Sequence, residues 1–267
     1  MEMHSELSKN NRILIRREKL STTNMQNVRH KVNNTIYPMI TIEENTLFIL
    51  FRRGKTEDIK NLFEKGEIYM NTVDRIRECD NNQDRSDPYD SILQRQFLGD
   101  VKVKMCDVGQ DINKDGVSLN AKECVINIDS NNKGNIYCLS GIYSKDLIDK
   151  AEVTEFKTKS FGESLIVISN PRKFIQRVKK ALLEEGYKDI QSKPVDYYPN
   201  EYSGHIGPFK KHQNFSHQNE FRIYVPNSDN KPIKINIGSI KDIAIMKESC
   251  CLRFEFTDNR IKTFMLI

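Results

Sequence analysis

The fold of this chain is most constrained by a succession of short apolar segments, each fewer than ten residues long. Some alternate apolar with polar residues, as half-buried strands do, and others are continuous apolar runs typical of buried strands. An amphipathic helix that Asn170-Pro171 opens is predicted over residues 172–185, and a shorter helix with Thr56 as its N-cap is predicted over residues 56–63. Many short strands with few helices predict an α+β domain. The strands are expected at residues 46–54, 67–71, 101–105, 123–128, 135–139, 164–168 and 217–225, and in four further segments after residue 232.

The length of the chain and a change in its composition predict one domain behind a flexible segment. A chain of 267 residues can bury one good core or at most two small ones. Residues 1–38 are rich in Asn, Ser, Thr and Lys, so we expect a flexible basic leader there. Residues 39–267 then form a single domain. Residues 11–31 of the leader carry an excess of basic side chains, which are expected to be solvated or to contact phosphate.

The composition argues against several classes of protein. No run approaches about 18 apolar residues, so no membrane-spanning helix and no membrane partner are predicted. The N-terminal residues lack the apolar core of a secretory signal peptide. The six cysteines form no Cys-x-x-Cys pair and are expected to be reduced thiols in a cytoplasmic protein. The formal net charge of +5 is too diffuse to identify a partner.

The polar pair Gln218 and Glu220 is the most informative local feature. The residues after it alternate as a half-buried strand does, with Phe221 and Ile223 sharing one face. Side chains two apart in a strand project from the same face, so the amide of Gln218 is expected beside the carboxylate of Glu220. Arg222 falls on that face too and is expected to pair with Glu220. Such a strand end is either a site of chemistry or an exposed strand start with a salt bridge.

Three features of the sequence, taken in their order along the chain, indicate a function. A first strand ends in Arg52-Arg53-Gly54, a middle strand carries Ser140, and a late strand begins with Gln218-x-Glu220. In this order the sequence resembles the ADP-ribosyltransferase family, in its Arg/Ser/Glu branch. The resemblance implies an α+β fold with a split β-sheet core and a few flanking helices. It also implies an enzyme that transfers ADP-ribose from NAD⁺, with NAD⁺ as a substrate and no metal.

The resemblance assigns a role to each of these residues. Arg52 or Arg53 would hold the phosphates of NAD⁺, and strand alternation allows only one of them to face the cleft. Ser140 would brace the nicotinamide pocket, although the family's usual Ser-Thr-Ser is absent here. Glu220 would stabilise the positive charge that builds on the ribose as nicotinamide leaves. Gln218 would select the atom that is modified.

Further residues extend the expected site to an acceptor. Family members with Gln at the selector position include enzymes that modify nucleobases, which implies a nucleobase acceptor here, more readily in RNA than in DNA. Phe215 is expected to stack on an unpaired base, with Lys210, Lys211 and His212 near backbone phosphates. Tyr69, in the segment Gly-Glu-Ile-Tyr-Met-Asn-Thr, is expected to contact the cofactor.

The wider pattern also resembles bacterial phage-defence proteins, in particular ADP-ribosyltransferase toxins that modify messenger RNA within toxin–antitoxin–chaperone systems. This resemblance implies a toxin that is held inactive in the cytoplasm by an antitoxin or chaperone. The leader is the natural contact for such a partner.

Three alternatives remain open on the sequence. The chain could be a catalytically inactive module of the same fold that binds nucleic acid or a protein, or an ADP-ribosyltransferase that acts on protein. It could also be a metal-dependent nuclease built on an acidic segment, although interleaved arginines favour a self-paired surface loop. The acidic residues concerned are Asp74, Glu78, Asp80, Asp84 and Asp87.

Overall fold

The computed structural model describes residues 46–78, 87–114, 116–129, 133–148 and 151–267. It also describes the backbone of a short antiparallel strand pair, β1 (Lys31–Val32) and β2 (Thr35–Ile36). Apart from these four positions, the predicted leader lies outside the described residues.

The described residues form a mixed α+β structure in which strands predominate, as predicted. The α-helices are α1 (Thr56–Lys65), α2 (Val73–Glu78), α3 (Ser144–Ile148) and α4 (Pro171–Glu184). The first strands are β3 (Leu47–Gly54), β4 (Glu67–Thr72), β5 (Gln94–Met105), β6 (Val117–Ile128), β7 (Gly134–Tyr143), β8 (Val153–Phe156) and β9 (Ser164–Ile168). The later strands are β10 (Gln191–Pro194), β11 (Asp196–Tyr198), β12 (Gly204–His205), β13 (Lys210–His212), β14 (Glu220–Pro226), β15 (Ile233–Asn236), β16 (Ala244–Lys247), β17 (Cys250–Glu255) and β18 (Ile261–Leu266). No helix in these parts of the chain is long and apolar enough to cross a membrane.

The main sheet is antiparallel and branches at β7. Its order is β10-β14-β7-β3-β9-β16, and β4 with β15 joins it at β7. β14 runs along one edge of β7. The other edge is divided, because β4 pairs with Asn135 and Ile136 and β3 pairs with the later residues, including Ser140. β7 is therefore paired with β14 along one edge, and along the other edge it is paired in two separate stretches, with β4 near its start and with β3 near its end.

The first face of the main sheet carries the larger core. Leu50, Tyr137, Ile166 and Ile223 contribute to this core, which packs against α1 and α4. α4 matches the predicted helix and begins as expected, because the Asn170 side chain accepts a hydrogen bond from the backbone of Lys173 at 3.0 Å. Pro171 occupies the first helical turn, where a missing N–H costs nothing.

The second face is apolar at one end and charged near its middle. Phe51, Leu165 and Val167 pack against the small sheet β17-β18-β8. Further along the same face, β14 instead presents the buried side chains of Glu220 and Arg222. A fold that places a buried ion pair where neighbouring strands place apolar residues marks that region as the candidate site.

The start of α1 differs from the sequence-based expectation. Thr56 was expected to cap the helix, but the cap position is Lys55, and its side chain makes no capping hydrogen bond. Thr56 is the first helical residue and its hydroxyl lies 2.9 Å from the hydroxyl of Ser164. The threonine therefore ties the helix to β9 instead of satisfying a free N–H of the first turn.

Two glycines with similar backbone conformations should respond very differently to alanine. Gly66 ends α1 with φ 74°, and a Cβ there would lie 2.0 Å from the carbonyl oxygen of Gly238. Gly186 has φ 88° with open space around it. Gly186→Ala should cost about 1–2 kcal/mol for the left-handed conformation alone. Gly66→Ala should cost more than about 3 kcal/mol, because backbone must also move.

Urea unfolding of the two variants beside the wild type measures this difference. Equal losses of stability would mean that the Gly66–Gly238 contact relaxes freely, against the close approach seen here.

A long antiparallel ribbon is formed by β5 and β6, with the short strand β12 paired to the start of β5. β5 and β6 pair from Gln94↔Ile128 to Met105↔Val117, much further than the predicted strands at residues 101–105 and 123–128. Beyond a register shift at Gly99, apolar residues pair with apolar ones and polar with polar. The ribbon therefore has one apolar face, and several of its side chains are exposed, including Val103 and Leu119.

Candidate active site

A cleft of about 1400 Å³ opens on the second face of the main sheet. Its floor is formed by β3, β7 and β14. The start of α1, the segment 158–164 and the turn between β16 and β17 form its walls, and Lys211 of β13 and Asp90 also reach it. Most residues assigned to NAD⁺ by the resemblance line this one cleft.

The strand register brings three of the predicted site residues onto one face. Glu220 of β14 pairs with Ser140 of β7, and Ser140 pairs with Phe51 of β3. Directly paired residues of adjacent strands share a face, and so do residues two apart on one strand. Arg53, two residues after Phe51, therefore shares the face of Ser140 and Glu220.

The two arginines of β3 divide as strand alternation requires. Arg52 lies on the opposite face, where its guanidinium carbon is 4.5 Å from the centre of the Tyr137 ring and its Nη1 donates to the Cys138 carbonyl. Both arginines contribute to the cleft lining, but only Arg53 shares the sheet face of Glu220.

Arg53 is a buried cation held by neutral oxygens. It donates to Thr158 Oγ1 at 2.9 Å, to the Glu163 carbonyl at 3.2 Å and to the Leu266 carbonyl at 3.4 Å. Burial lowers the pKa of its guanidinium. Within the described parts of the chain no carboxylate forms an ion pair with Arg53. An anion bound in the cleft would compensate this charge.

Glu220 is fixed by two cations. Arg222 donates from Nε to Glu220 Oε1 at 2.8 Å and from Nη2 to Oε2 at 3.2 Å, which confirms the predicted pairing. Lys211 Nζ lies 3.5 Å from Glu220 Oε2. The backbone N–H of Glu220 donates to the Tyr197 hydroxyl at 2.9 Å. Both the backbone and the carboxylate of Glu220 are therefore held in place.

A second carboxylate completes the arrangement. Arg222 also donates from Nη1 to Asp90 Oδ1 at 2.7 Å and from Nη2 to Asp90 Oδ2 at 2.5 Å. Lys211 Nζ lies 3.8 Å from Asp90 Oδ2. We call Asp90, Lys211, Glu220 and Arg222 the charge quartet. Two buried acids and two buried bases balance in it, which is how proteins tolerate charges away from water.

The quartet keeps Glu220 ionised. Burial alone would raise the pKa of Glu220, but the positive charges of Arg222 and Lys211 outweigh it and lower that pKa to about 2. The same two cations lower the pKa of Asp90 against the effect of burial. Burial raises the pKa of the nearby Cys138 thiol and Tyr197 phenol, so both stay protonated at neutral pH. Glu220 thus offers a fixed negative charge, and it is unsuited to donate a proton.

Acid should destabilise the protein through Glu220. Its pKa is about 2 when folded, against an ordinary value of 4.5, so the unfolded chain takes up the proton first as the pH falls. The stabilisation is complete above about pH 5 and is lost progressively as the pH falls towards 2, by an amount on the order of 3 kcal/mol. Urea unfolding at successive pH values from 7 to 3 measures it. A flat profile would contradict the strong pairing of Glu220.

Asp87 provides a control of opposite sign for this titration. Burial, followed by the neighbouring charge of Asp90, raises the pKa of Asp87, and its buried Oδ2 has no hydrogen-bond partner. Ionised Asp87 therefore opposes folding at neutral pH. Asp87→Asn should be more stable than the wild type at pH 7, and the difference should disappear at low pH.

Gln218 corrects one step of the sequence-based reasoning. It does not lie on the strand with Glu220, because β14 begins at Glu220 and Gln218 ends a 3₁₀ helix, Gln213–Gln218. Asn219 between them adopts φ 42°, a left-handed conformation that Asn tolerates better than most residues. The two side chains still meet through Lys211, whose Nζ donates to Gln218 Oε1 at 2.9 Å.

The predicted acceptor residues divide into one buried and three partly exposed side chains. Lys211 is 5% exposed, belongs to the charge quartet and lines the cleft, and its expected contact with backbone phosphates stays a prediction. Phe215 is half-buried, with its ring centre 4.6 Å from Lys211 Nζ. Lys210 Nζ lies 2.6 Å from the Tyr202 hydroxyl, and His212 Nε2 lies 2.5 Å from Asn200 Oδ1.

Tyr69 does not join the cleft. It lies on β4, half exposed, and lines a separate cavity of about 510 Å³ with Thr72 and Asp74. Asn71, two residues further along β4, does line the cleft, so the expected contact between Tyr69 and the cofactor stays a prediction.

The acidic segment of the nuclease alternative is only partly described, since Asp80 and Asp84 lie outside the described residues. Among the side chains that the structure does describe, no group of three or more His, Cys, Asp or Glu residues could hold a metal ion.

No protein-family model, curated protein or solved structure matches this chain. The geometry of the cleft is therefore the basis on which a function can be assigned.

Sequence reasoning missed two elements of the site. Asp90 was one of many acidic residues in a polar segment, and nothing local distinguishes it. Nothing in the sequence around Tyr197 assigns it a role. A buried acid such as Asp90 becomes recognisable only when the fold brings it to Arg222.

Proposed function

We propose that this protein is an ADP-ribosyltransferase that moves ADP-ribose from NAD⁺ to a nucleobase, with RNA as the acceptor. The observation that carries the proposal is the common face of Arg53, Ser140 and Glu220 on the floor of one cleft. A guanidinium lacking an acidic partner and a fixed carboxylate suit the two charges of the reaction, which are the diphosphate and the developing ribosyl cation.

Glu220 supplies the electrostatic part of the mechanism. As the bond between nicotinamide and ribose breaks, the electron pair of that bond leaves with nicotinamide, and positive charge builds on the ribose. A carboxylate that is ionised and immobile stabilises that transition state more than the ground state. An atom of the acceptor base then supplies the electron pair of the new bond and its proton is lost. Gln218, joined to Glu220 through Lys211, would contact the acceptor.

Arg53 and Ser140 would bind the cofactor. The bidentate donors of Arg53 suit a diphosphate oxygen, and the exposed lysines Lys55, Lys159 and Lys247 on the cleft walls add positive charge nearby. Ser140, opposite Glu220 in the register, would contact the nicotinamide end.

The nucleobase acceptor is supported by Phe215, whose ring centre lies 4.6 Å from Nζ of the cleft residue Lys211, and by Lys210 and His212, which flank Lys211 on β13. A half-buried aromatic ring beside basic side chains is a common platform for an unpaired base and its phosphates. We further propose that the enzyme acts in the cytoplasm as a phage-defence toxin, held inactive by an antitoxin or chaperone that contacts the leader.

Labelled NAD⁺ tests the proposal. The full chain is incubated with NAD⁺ labelled in its adenylate phosphate and with separate pools of RNA, DNA and protein, with and without EDTA. We expect label in RNA, unchanged by EDTA, with no shortening of the RNA. Label confined to protein would show that protein, and not RNA, is the acceptor. Shortening of the RNA that EDTA prevents would favour the nuclease, and no label in any pool would overturn the proposal.

A further inference from the structure

Asp90 lies outside the main sheet, yet it is among the most buried carboxylates of the structure, at 1% exposed. It comes from the segment just before β5 and meets the far side of Arg222. The two outer nitrogens of Arg222 contact the two oxygens of Asp90, while its Nε and Nη2 contact the two oxygens of Glu220. One planar guanidinium therefore aligns two carboxylates.

Asp90 is itself held firmly enough to act as a reference point. The Ser91 hydroxyl donates to Asp90 Oδ1 at 2.7 Å, and Arg77 Nε donates to the Asp90 carbonyl at 2.5 Å. The following residues are bonded to the chain before β13, because the Gly207 N–H donates to the Ile92 carbonyl at 2.8 Å. Both the side chain and the backbone of Asp90 are thus immobilised.

Lys211 cannot replace this alignment. Its ammonium lies 3.5 Å from Glu220 and 3.8 Å from Asp90. These are ion-pair distances, but an ammonium lacks the fork of parallel N–H donors with which a guanidinium meets both oxygens of a carboxylate. An ammonium acts as a point charge, whereas a guanidinium fixes the plane of the carboxylate it meets. The orientation of Glu220 therefore depends on Arg222, which is itself held by two hydrogen bonds to Asp90 and by one from Nη1 to the Pro208 carbonyl at 2.8 Å.

We propose that Asp90 is a positioning residue that orients the Glu220 carboxylate towards the cleft by holding the guanidinium of Arg222 between the two acids. The proposal rests on the proposed function of Glu220 as the group that stabilises the ribosyl cation. Displacing a catalytic group by about 1 Å can cost about 100-fold in rate, so a residue that never touches the substrate can still control turnover.

The competing explanation is that Asp90 only balances the charge of Arg222 and Lys211. The variants Asp90→Asn and Asp90→Glu separate the two explanations. Asp90→Glu keeps the charge but moves the carboxylate by one methylene, so charge balance is preserved while the alignment of Arg222 is not. Arg222→Lys removes the fork and keeps the charge, and it serves as a second test from the other partner. Asp258→Asn, at an exposed Asp–Arg contact, controls for loss of a surface carboxylate.

The measurement is kcat and KM for NAD⁺ per folded molecule, with the folded fraction taken from thermal unfolding at the assay temperature. We expect Asp90→Glu, Asp90→Asn and Arg222→Lys each to lower kcat by about 10-fold or more, with KM for NAD⁺ changed less than about 2-fold. Asp258→Asn should match the wild type. Wild-type kcat per folded molecule in both Asp90→Glu and Arg222→Lys would overturn the proposal.

A crystal structure of the Asp90→Glu protein separates this inference from the proposed function. Should the wild type fail to transfer ADP-ribose to any acceptor, the proposed function fails, and the position of Glu220 still decides the inference. A displaced Glu220 carboxylate in the variant supports positioning by Asp90, and an unchanged carboxylate overturns it.

Discussion

Glu220→Gln should reduce ADP-ribose transfer by about 100- to 1000-fold, the effect expected when one group that stabilises transition-state charge is removed. The amide keeps the size of the side chain and one acceptor for Arg222, but it carries no charge to oppose the ribosyl cation. The affinity for NAD⁺ should change little, because the charge develops only as the bond breaks. Single-turnover rates with labelled NAD⁺ and direct NAD⁺ binding measure the two effects separately.

The matched control for this variant is Glu155→Gln, which removes a carboxylate from an exposed position on β8. It should transfer label at the wild-type rate. Full activity of folded Glu220→Gln would remove Glu220 from the mechanism and favour a catalytically inactive module whose label arises from a contaminant.

Arg222→Met should be the most destabilising single change at the site. It leaves Asp90 and Glu220 buried close together with only Lys211 between them, and breaking a buried pair by removing one partner costs about 3–5 kcal/mol. Arg177→Met is the matched control, since Arg177 pairs with the half-exposed Asp242 through two hydrogen bonds. That loss should not exceed about 1 kcal/mol.

Denaturant unfolding of both variants tests this difference. Neutralising the acids as well, in the triple variant Asp90→Asn, Glu220→Gln and Arg222→Met, should restore part of the lost stability, because the desolvation of two unpaired charges is then avoided. Equal losses for Arg222→Met and Arg177→Met would show that the quartet contributes no more than a surface pair.

The elements that the sequence predicted well are those whose signal is local. The alternation after Glu220 predicted β14, and Asn170-Pro171 predicted the start of α4. Both signals are local, because strand periodicity and helix capping depend on neighbouring residues. The ribbon was underestimated because its apolar residues alternate with polar ones in a segment whose overall polarity is typical of a loop.

The candidate site was predictable only in part, for the same physical reason. The face shared by Ser140 and Glu220 follows from strand periodicity once the strands are paired, but the choice of Arg53 over Arg52 needed the register of β3. The burial of Lys211 was not predicted, because it depends on Asp90, which is distant in sequence, as well as on Glu220. Charged residues that are paired across the fold but distant in sequence produce no local sequence pattern from which the pairing could be predicted.

The branching of the sheet at β7 predicts that different parts of the site exchange their backbone amides with deuterium at different rates. Amides in a strand bonded along both edges exchange with deuterium mainly through global unfolding, whereas peripheral segments open locally. Ser140 of β7 is paired on both edges, with Glu220 and with Phe51, whereas the wall segment 158–164 lies mostly outside regular strands. We therefore expect the floor of the cleft to stay folded while the wall segment opens locally. Substrate could then enter without disturbing β7, the strand that pairs with β14 at Glu220.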